Sequence, residues 1–204
     1  MMKCDNFNKC FGDKVVLKDF SLELPSRGVV AFMAPSGSGK TTLTRIICGL
    51  EAADGNCFAC PKKQISVVFQ EDRLLPGVTV LGNVMAVLEK GEENEKLALS
   101  WLDKMGIKSS AHLLPGQLSG GMRRRLSIAR AMAYGGDLMI LDEPFAGLDD
   151  LTRKSIYPHI FDDKKNDRLI IMVTHDRHEA EALADRLIVM DGPPLTVVED
   201  VLLK

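Results

Sequence analysis

Six uncharged residues, Gly28 to Met33 (Gly-Val-Val-Ala-Phe-Met), run directly into Ala34-Pro35-Ser36-Gly37-Ser38-Gly39-Lys40-Thr41-Thr42. A continuous apolar run of this kind marks a strand buried on both faces, as in a parallel sheet covered by helices. The segment after the loop reads as a helix over residues 40–48, stopped by Gly49. The loop therefore sits between a buried strand and a helix N-terminus. That is where backbone N–H groups and the helix dipole together attract an anion. Phosphate oxygens need close backbone approach, so glycine is required where a side chain would block the amides. Gly37, Ser38 and Gly39 are expected to wrap a β-phosphate and Lys40 to reach the β and γ oxygens, with Thr41 holding Mg²⁺. The flanking Pro35, Ser36 and Thr42 belong to the same cradle. Ala34 stands where the P-loop pattern has its first glycine. If that position needs positive φ, alanine costs about 1 kcal/mol; if not, almost nothing.

A second buried strand, residues 138–141, ends in Asp142-Glu143-Pro144. In an open parallel sheet ligands gather at the C-terminal ends of the strands, so two adjacent carboxylates are delivered to the phosphate loop. Asp142 is expected to support Mg²⁺ through water, and Glu143 to orient or deprotonate the attacking water. A third motif, Leu118-Ser119-Gly120-Gly121-Met122, opens a helix with a second anion-friendly N-terminus but brings no lysine. One chain thus carries two phosphate-friendly helix starts and one complete site. A head-to-tail dimer resolves the mismatch, each copy's residues 118–122 capping the nucleotide held by the other's Lys40.

Around these motifs the chain reads as strands, then helices, then strand–helix alternation: an α/β core with a helical insertion. Residues 1–204 make one domain, with 1–73 and 135–204 as the nucleotide-binding core and 74–134 as the helical unit. Phe20, Leu22 and Leu24 alternate as one-sided burial in a sheet requires. Asn94 is expected to cap a helix running to Met105, with Trp101 in the core. Asp176 and Glu179 suggest a capping box at the start of the last helix. The formal charge of −2 and the shortness of the run Arg123-Arg124-Arg125 argue against general polyanion binding. No stretch approaches the ~18–20 apolar residues of a membrane span, and the first residues lack a signal-peptide core. A cytoplasmic chain whose membrane role comes through partners is the expectation. Cys57-Phe58-Ala59-Cys60 has the spacing of half a zinc site, but Cys4 and Cys10 do not form a matching pair; an incidental pair on a strand or turn is the alternative.

With these motifs in this order, the chain resembles the ATP-binding cassette (ABC) ATPases over roughly residues 11–190. The resemblance implies a P-loop core with a mostly parallel sheet, an N-terminal antiparallel β subdomain and an inserted helical subdomain carrying the signature at residues 118–122. It implies that Gln70 contacts Mg²⁺ and water, that Asp149 in Gly147-Leu148-Asp149 lies at the dimer interface, and that His175 contacts the γ-phosphate. Phe11 sits where the family stacks an aromatic on adenine, with Phe7 as a rival. Gln70-Glu-Asp-Arg-Leu-Leu-Pro76 and the residues from Asp142 to Arg153 are similar to importers of nitrate, taurine and aliphatic sulfonates. The implied machine hydrolyses ATP as a homodimer beneath two membrane permease subunits, at the inner face of the membrane. An extracytoplasmic solute-binding protein completes it. Leu74, Leu75 and Pro76 are read as either part of a permease groove or helical-subdomain core. A cytosolic ATPase serving an assembly process, such as iron–sulfur cluster formation, is the alternative function.

Overall fold

The computed structural model describes residues 2–54, 64–161 and 168–204. Cys57 and Cys60 lie outside them. The chain opens with a hairpin of β1 (Met2–Phe11) and β2 (Lys14–Leu24), turned at Gly12, whose φ of +56° suits glycine. Both strands are long, at 10 and 11 residues. The hairpin buries Phe7 against Phe20, edge to face with centroids 5.5 Å apart.

The main sheet has six strands in the order β4-β5-β6-β3-β7-β8. They are β3 (Gly28–Met33), β4 (Ile65–Val68), β5 (Leu138–Asp142), β6 (Leu169–Val173), β7 (Arg186–Asp191) and β8 (Thr196–Leu202). All pairings are parallel except β7 with β8. The fold is the expected α/β class: a mostly parallel sheet beside a separate antiparallel N-terminal one.

Side-chain alternation along the strands divides the core in two. Val30, Phe32, Ile140 and Ile171 face the hairpin and α1 (Lys40–Ile47). Ala31, Leu141, Ile170 and Met172 face the other way, in one core with residues of α3 (Glu92–Lys104) and α4 (Gly120–Tyr134). Residues 74–134 contribute α2 (Val80–Met85), α3, α4 and two 3₁₀ turns. Trp101 is buried in α3, with Lys104 Nζ 4.0 Å from its ring centroid. Leu74 packs against the same core, whereas Leu75 is exposed.

Three local expectations need correction. Asn94 does not cap α3: Gly91 is the cap, and Asn94 lies inside the first turn, its side-chain amide donating to Glu89 O. The acidic Glu92, Glu93 and Glu95 suit that turn through the helix dipole, so the helix starts earlier. Asp176 does cap α6 (Arg177–Leu183), accepting from the His178 and Glu179 amides, but Glu179 does not close a capping box. Its carboxylate instead accepts from Tyr157 and Thr174, at 2.8 and 2.7 Å. The strands β7 and β8 and the helix α5 (Asp150–Phe161) were not anticipated, although Leu187-Ile188-Val189-Met190 is an apolar run of the kind read elsewhere as a strand.

Ile171 is central in the sheet and fully buried. Ile171→Ala is expected to lower unfolding free energy by about 2–5 kcal/mol. Val198→Ala, on the exposed edge strand β8, should change it by less than about 0.5 kcal/mol. Urea unfolding followed by circular dichroism checks both.

Candidate nucleotide site

Strand register builds the site. Val173 of β6 pairs with Phe32 of β3 on one side and Asp142 of β5 on the other, so the three strand ends are flush. The loops that leave them carry Lys40, the Asp142–Glu143 pair and His175, and Gln70 follows β4. This edge is the C-terminal end of the parallel strands. A cavity of about 330 Å³ opens there, lined by Phe11, Lys14, Ser36, Gly37, Lys40, Thr41, Thr42, Gln70, Asp142 and Glu143, among others. A second, of about 290 Å³, shares Thr41, Gln70 and Asp142 with it.

The phosphate loop has the shape its glycines allow. Gly37 and Gly39 have φ of +79° and +113°, and a Cβ on Gly39 would come within 2.8 Å of Val16 Cγ1. Gly39 is therefore fixed by both conformation and space. Lys40 Nζ folds back to donate to the carbonyls of Ala34 and Pro35, the latter at 3.0 Å. Ala34 is not among the described non-glycine residues with positive φ, so alanine carries no backbone penalty there. Ser38 is fully buried, and its hydroxyl has no hydrogen-bond partner.

Glu143 is one of those positive-φ residues, at +46°. Such strain in a non-glycine costs on the order of 1 kcal/mol or more and gathers at functional sites. The conformation is held by the Glu143 amide donating to Val173 O at 2.9 Å and the Glu143 carbonyl accepting from Arg124 at 2.5 Å. His175, mostly exposed, places Nδ1 3.7 Å from Glu143 Oε1. Burial raises the Asp142 pKa, and the neighbouring Glu143 charge raises it further, against Arg124 and Lys40. Burial lowers the Lys40 pKa, opposed by Glu143 and Asp142. The arrangement can bind a polyphosphate at the loop and direct a water at its end.

The ABC transporter family profile matches residues 17–146. The chain is 41% identical over 189 residues to an aliphatic sulfonates import ATP-binding protein of Paracoccus denitrificans, covering 91% of this chain and 77% of that one. It is 38% identical over 186 residues to a formylaminopyrimidine import ATP-binding protein of Halalkalibacterium halodurans, covering 88% and 75%. Among solved structures, a dimeric bacterial ABC transporter cassette superposes with a TM-score of 0.85 at 28% identity, over 100% of this chain and 99% of that one. The same cassette in a post-hydrolysis state bound to ADP and Pi matches equally well. This chain belongs to the ABC transporter family. It is an ATP-binding, ATP-hydrolysing cassette.

Phe11 lines the nucleotide cavity and is exposed, with Lys9 Nζ 4.9 Å from its centroid. Phe7 is in the core, which removes it as the rival for stacking. The signature residues stand apart from the cavity of their own chain. Ser119 caps α4, its hydroxyl accepting from the Met122 amide at 3.2 Å, and Ser119 and Gly120 are exposed. Gly121 lies close to Leu148, and Met122 is half-buried against the core. Leu118 is buried, its side chain packed in the helical-side core. Asp149 also lies away from the cavity, accepting from the Thr152 amide and hydroxyl at 2.9 and 2.7 Å, bonds that lower its pKa.

The residue that the motif reading missed is Arg124, taken there only as part of a basic run. It is 4% exposed, under the carbonyls that lead into and out of the site. Its helical phase carries the signal, since Arg124 stands one turn before buried Ile128 and on the same face.

Two outcomes follow. Ala34→Gly should leave ATP affinity within about twofold while costing up to about 1 kcal/mol of stability, because glycine only adds unfolded-state freedom. Titration calorimetry and urea unfolding would measure the two. A raised carboxylate pKa stabilises the fold only below the unfolded value, near 3.9, and that contribution is lost as pH rises through the folded value. Above the folded value the ionised Asp142 carboxylate is therefore a cost. Asp142→Asn should raise the Tm of the nucleotide-free protein at pH 7–8 by roughly 1–4 °C. The gain should shrink toward pH 4, as scanning calorimetry across pH would register, while ATPase activity is lost.

Proposed function

We propose that this ABC ATPase drives an importer of a small solute of the sulfonate, nitrate or taurine kind, working as two copies beneath two permease subunits. A solute-binding protein outside the membrane would deliver the cargo. What carries the reading is the gathering of Lys40, Thr41, Gln70, Asp142 and Glu143 on one cavity, with His175 beside Glu143. The importer assignment draws on relatives that are named import ATP-binding proteins, several of them for aliphatic sulfonates; none of the relatives cited is named for iron–sulfur assembly. No described helix is long and apolar enough to cross a membrane, so passage of solute is left to the permeases.

In this reading residues 35–42 hold the triphosphate, Lys40 meets the β and γ oxygens and Phe11 stacks on adenine. Glu143 orients and deprotonates the attacking water, and His175 contacts the γ-phosphate. Thr41, Asp142 and Gln70 line one cavity, and their side-chain oxygens are a hard donor set suited to Mg²⁺. Among the described residues no cluster of three His, Cys, Asp or Glu side chains could hold a metal alone. That agrees with a cation shared between one or two carboxylates and substrate phosphates. When bound, Mg²⁺ would neutralise charge on the phosphates.

Ser119, Gly120, Gly121 and Met122 of the second copy cap the same nucleotide, and Asp149 lies at the interface between copies. The core of residues 1–73 and 135–204 of one copy and the helical unit 74–134 of the other are then the two surfaces that ATP draws together. ATP favours the closed dimer because it touches both copies, and hydrolysis removes that bridge.

The test is the mass of Glu143→Gln in solution, by light scattering, with and without Mg-ATP. A dimer that forms only with ATP and is abolished by adding Ser119→Arg is expected. Turnover should fall about 10²–10⁴-fold, the usual contribution of a general base. A chain that binds no ATP, or whose ATP-driven dimer survives Ser119→Arg, would overturn the shared site.

A further inference from the structure

The guanidinium of Arg124 is spent mainly on the backbone of two loops that meet at the nucleotide cavity, with Asp72 as its one side-chain acceptor among the described residues. Nη1 donates to the carbonyls of Phe69 at 2.5 Å and Gln70 at 3.2 Å, with Asp72 Oδ1 at 3.5 Å. Nη2 donates to Asp142 O at 2.8 Å and Glu143 O at 2.5 Å, and Nε to Pro144 O at 3.0 Å. One loop carries Gln70. The other carries the two carboxylates. Arginine presents its donors in a rigid planar fork, so the distance between the loops is set by the guanidinium itself. Lysine, with a compact ammonium on a flexible stem, cannot span both in fixed geometry.

Two further observations connect this position with the reacting end of the site. Glu143 is held at φ +46°, and one of the bonds on its peptide comes from Arg124. A carbonyl freed there would let the backbone relax toward ordinary φ and carry the carboxylate with it. Arg124 also belongs to α4, five residues after its cap Ser119. The helix that offers its N-terminus to one nucleotide is therefore pinned, through one side chain, to the catalytic loops of its own chain.

We propose that Arg124 is a positioning residue for hydrolysis, fastening the Gln70 and Asp142–Glu143 loops to α4 so that docking of Ser119 on one nucleotide sets Glu143 at the other. The coupling half of this rests on the shared-site dimer above; the positioning half does not. Misplacement of a catalytic group by about 1 Å can cost about 10²-fold in rate. Binding by residues 35–42 does not pass through Arg124.

The experiment measures ATPase kinetics, fluorescent ATP-analogue affinity and Tm for wild type, Arg124→Lys and Arg124→Gln. Lysine keeps the length and charge and glutamine keeps a neutral hydrogen-bond donor, so that at least one is expected to fold. Expected are a kcat lowered about 10–100-fold in both, nucleotide affinity within about threefold of wild type, and no rescue by lysine. Wild-type kcat in a folded variant would overturn the inference alone. So would a fall in affinity matching the fall in kcat, since that is the mark of general damage. ATP-driven dimerisation, measured in the Glu143→Gln background, should persist when Arg124→Lys is added; its loss would also count against positioning. A wild-type chain without turnover would instead sink the functional reading itself.

Discussion

The pairing of Val173 with both Phe32 and Asp142 fixes where everything else can stand. Parallel strands in that register end together, and the loops that leave them must emerge side by side at one edge of the sheet. The phosphate loop, the carboxylate pair and His175 are consequences of three strand ends meeting. A slip of one residue in β5 would turn Leu141 out of the helical-side core and carry both carboxylates off the cavity. The buried apolar residues that enforce the register are therefore as much a part of the site as the groups that touch nucleotide.

That edge is electrostatically uneasy without its ligand. Lys14 and Lys40 face Asp142 and Glu143 around the cavity, which leaves little side-chain charge to spare for a polyphosphate. Attraction must come from loop amides, the N-terminus of α1 and a divalent cation. Meanwhile burial works against Lys40 and Asp142 in their charged forms, and Glu143 is strained in its backbone. Stability given up at a site in this way is recovered when nucleotide binds the folded state.

How much of this could be read from the chain depended on whether the signal was local. The strand–loop–helix at residues 28–47 announces itself, because a fully buried strand and a glycine-rich helix entry are both local patterns. The strand ending in Asp142 is the same case. Asn94 misled because a good capping residue competed with a run of glutamates just ahead of it, and the dipole of the real helix favoured the earlier start. Phe11 and Phe7 could not be separated by sequence, since both are aromatic residues in one strand. Only the hairpin's irregular register decides which faces Phe20 and which faces the cavity. Arg124 was obscured for a different reason: its five carbonyl partners lie 18 to 55 residues away in the chain. Backbone acceptors leave no trace in residue identity.

On the proposed shared site, the division of labour along α4 would make each copy depend on the other. Its N-terminus is exposed and suited to an anion, yet it lies away from the cavity of its own chain. One turn further on, Arg124 is buried beneath that chain's catalytic loops. On that proposal, a rigid helix with one end turned to a neighbour's nucleotide and its middle fastened to its own carboxylate loop could not satisfy both in a lone copy. Hydrolysis would then be tied to assembly by geometry rather than by a separate regulator. The same rigidity that makes α4 a good cap makes it a lever, and the guanidinium is where the lever meets the chemistry.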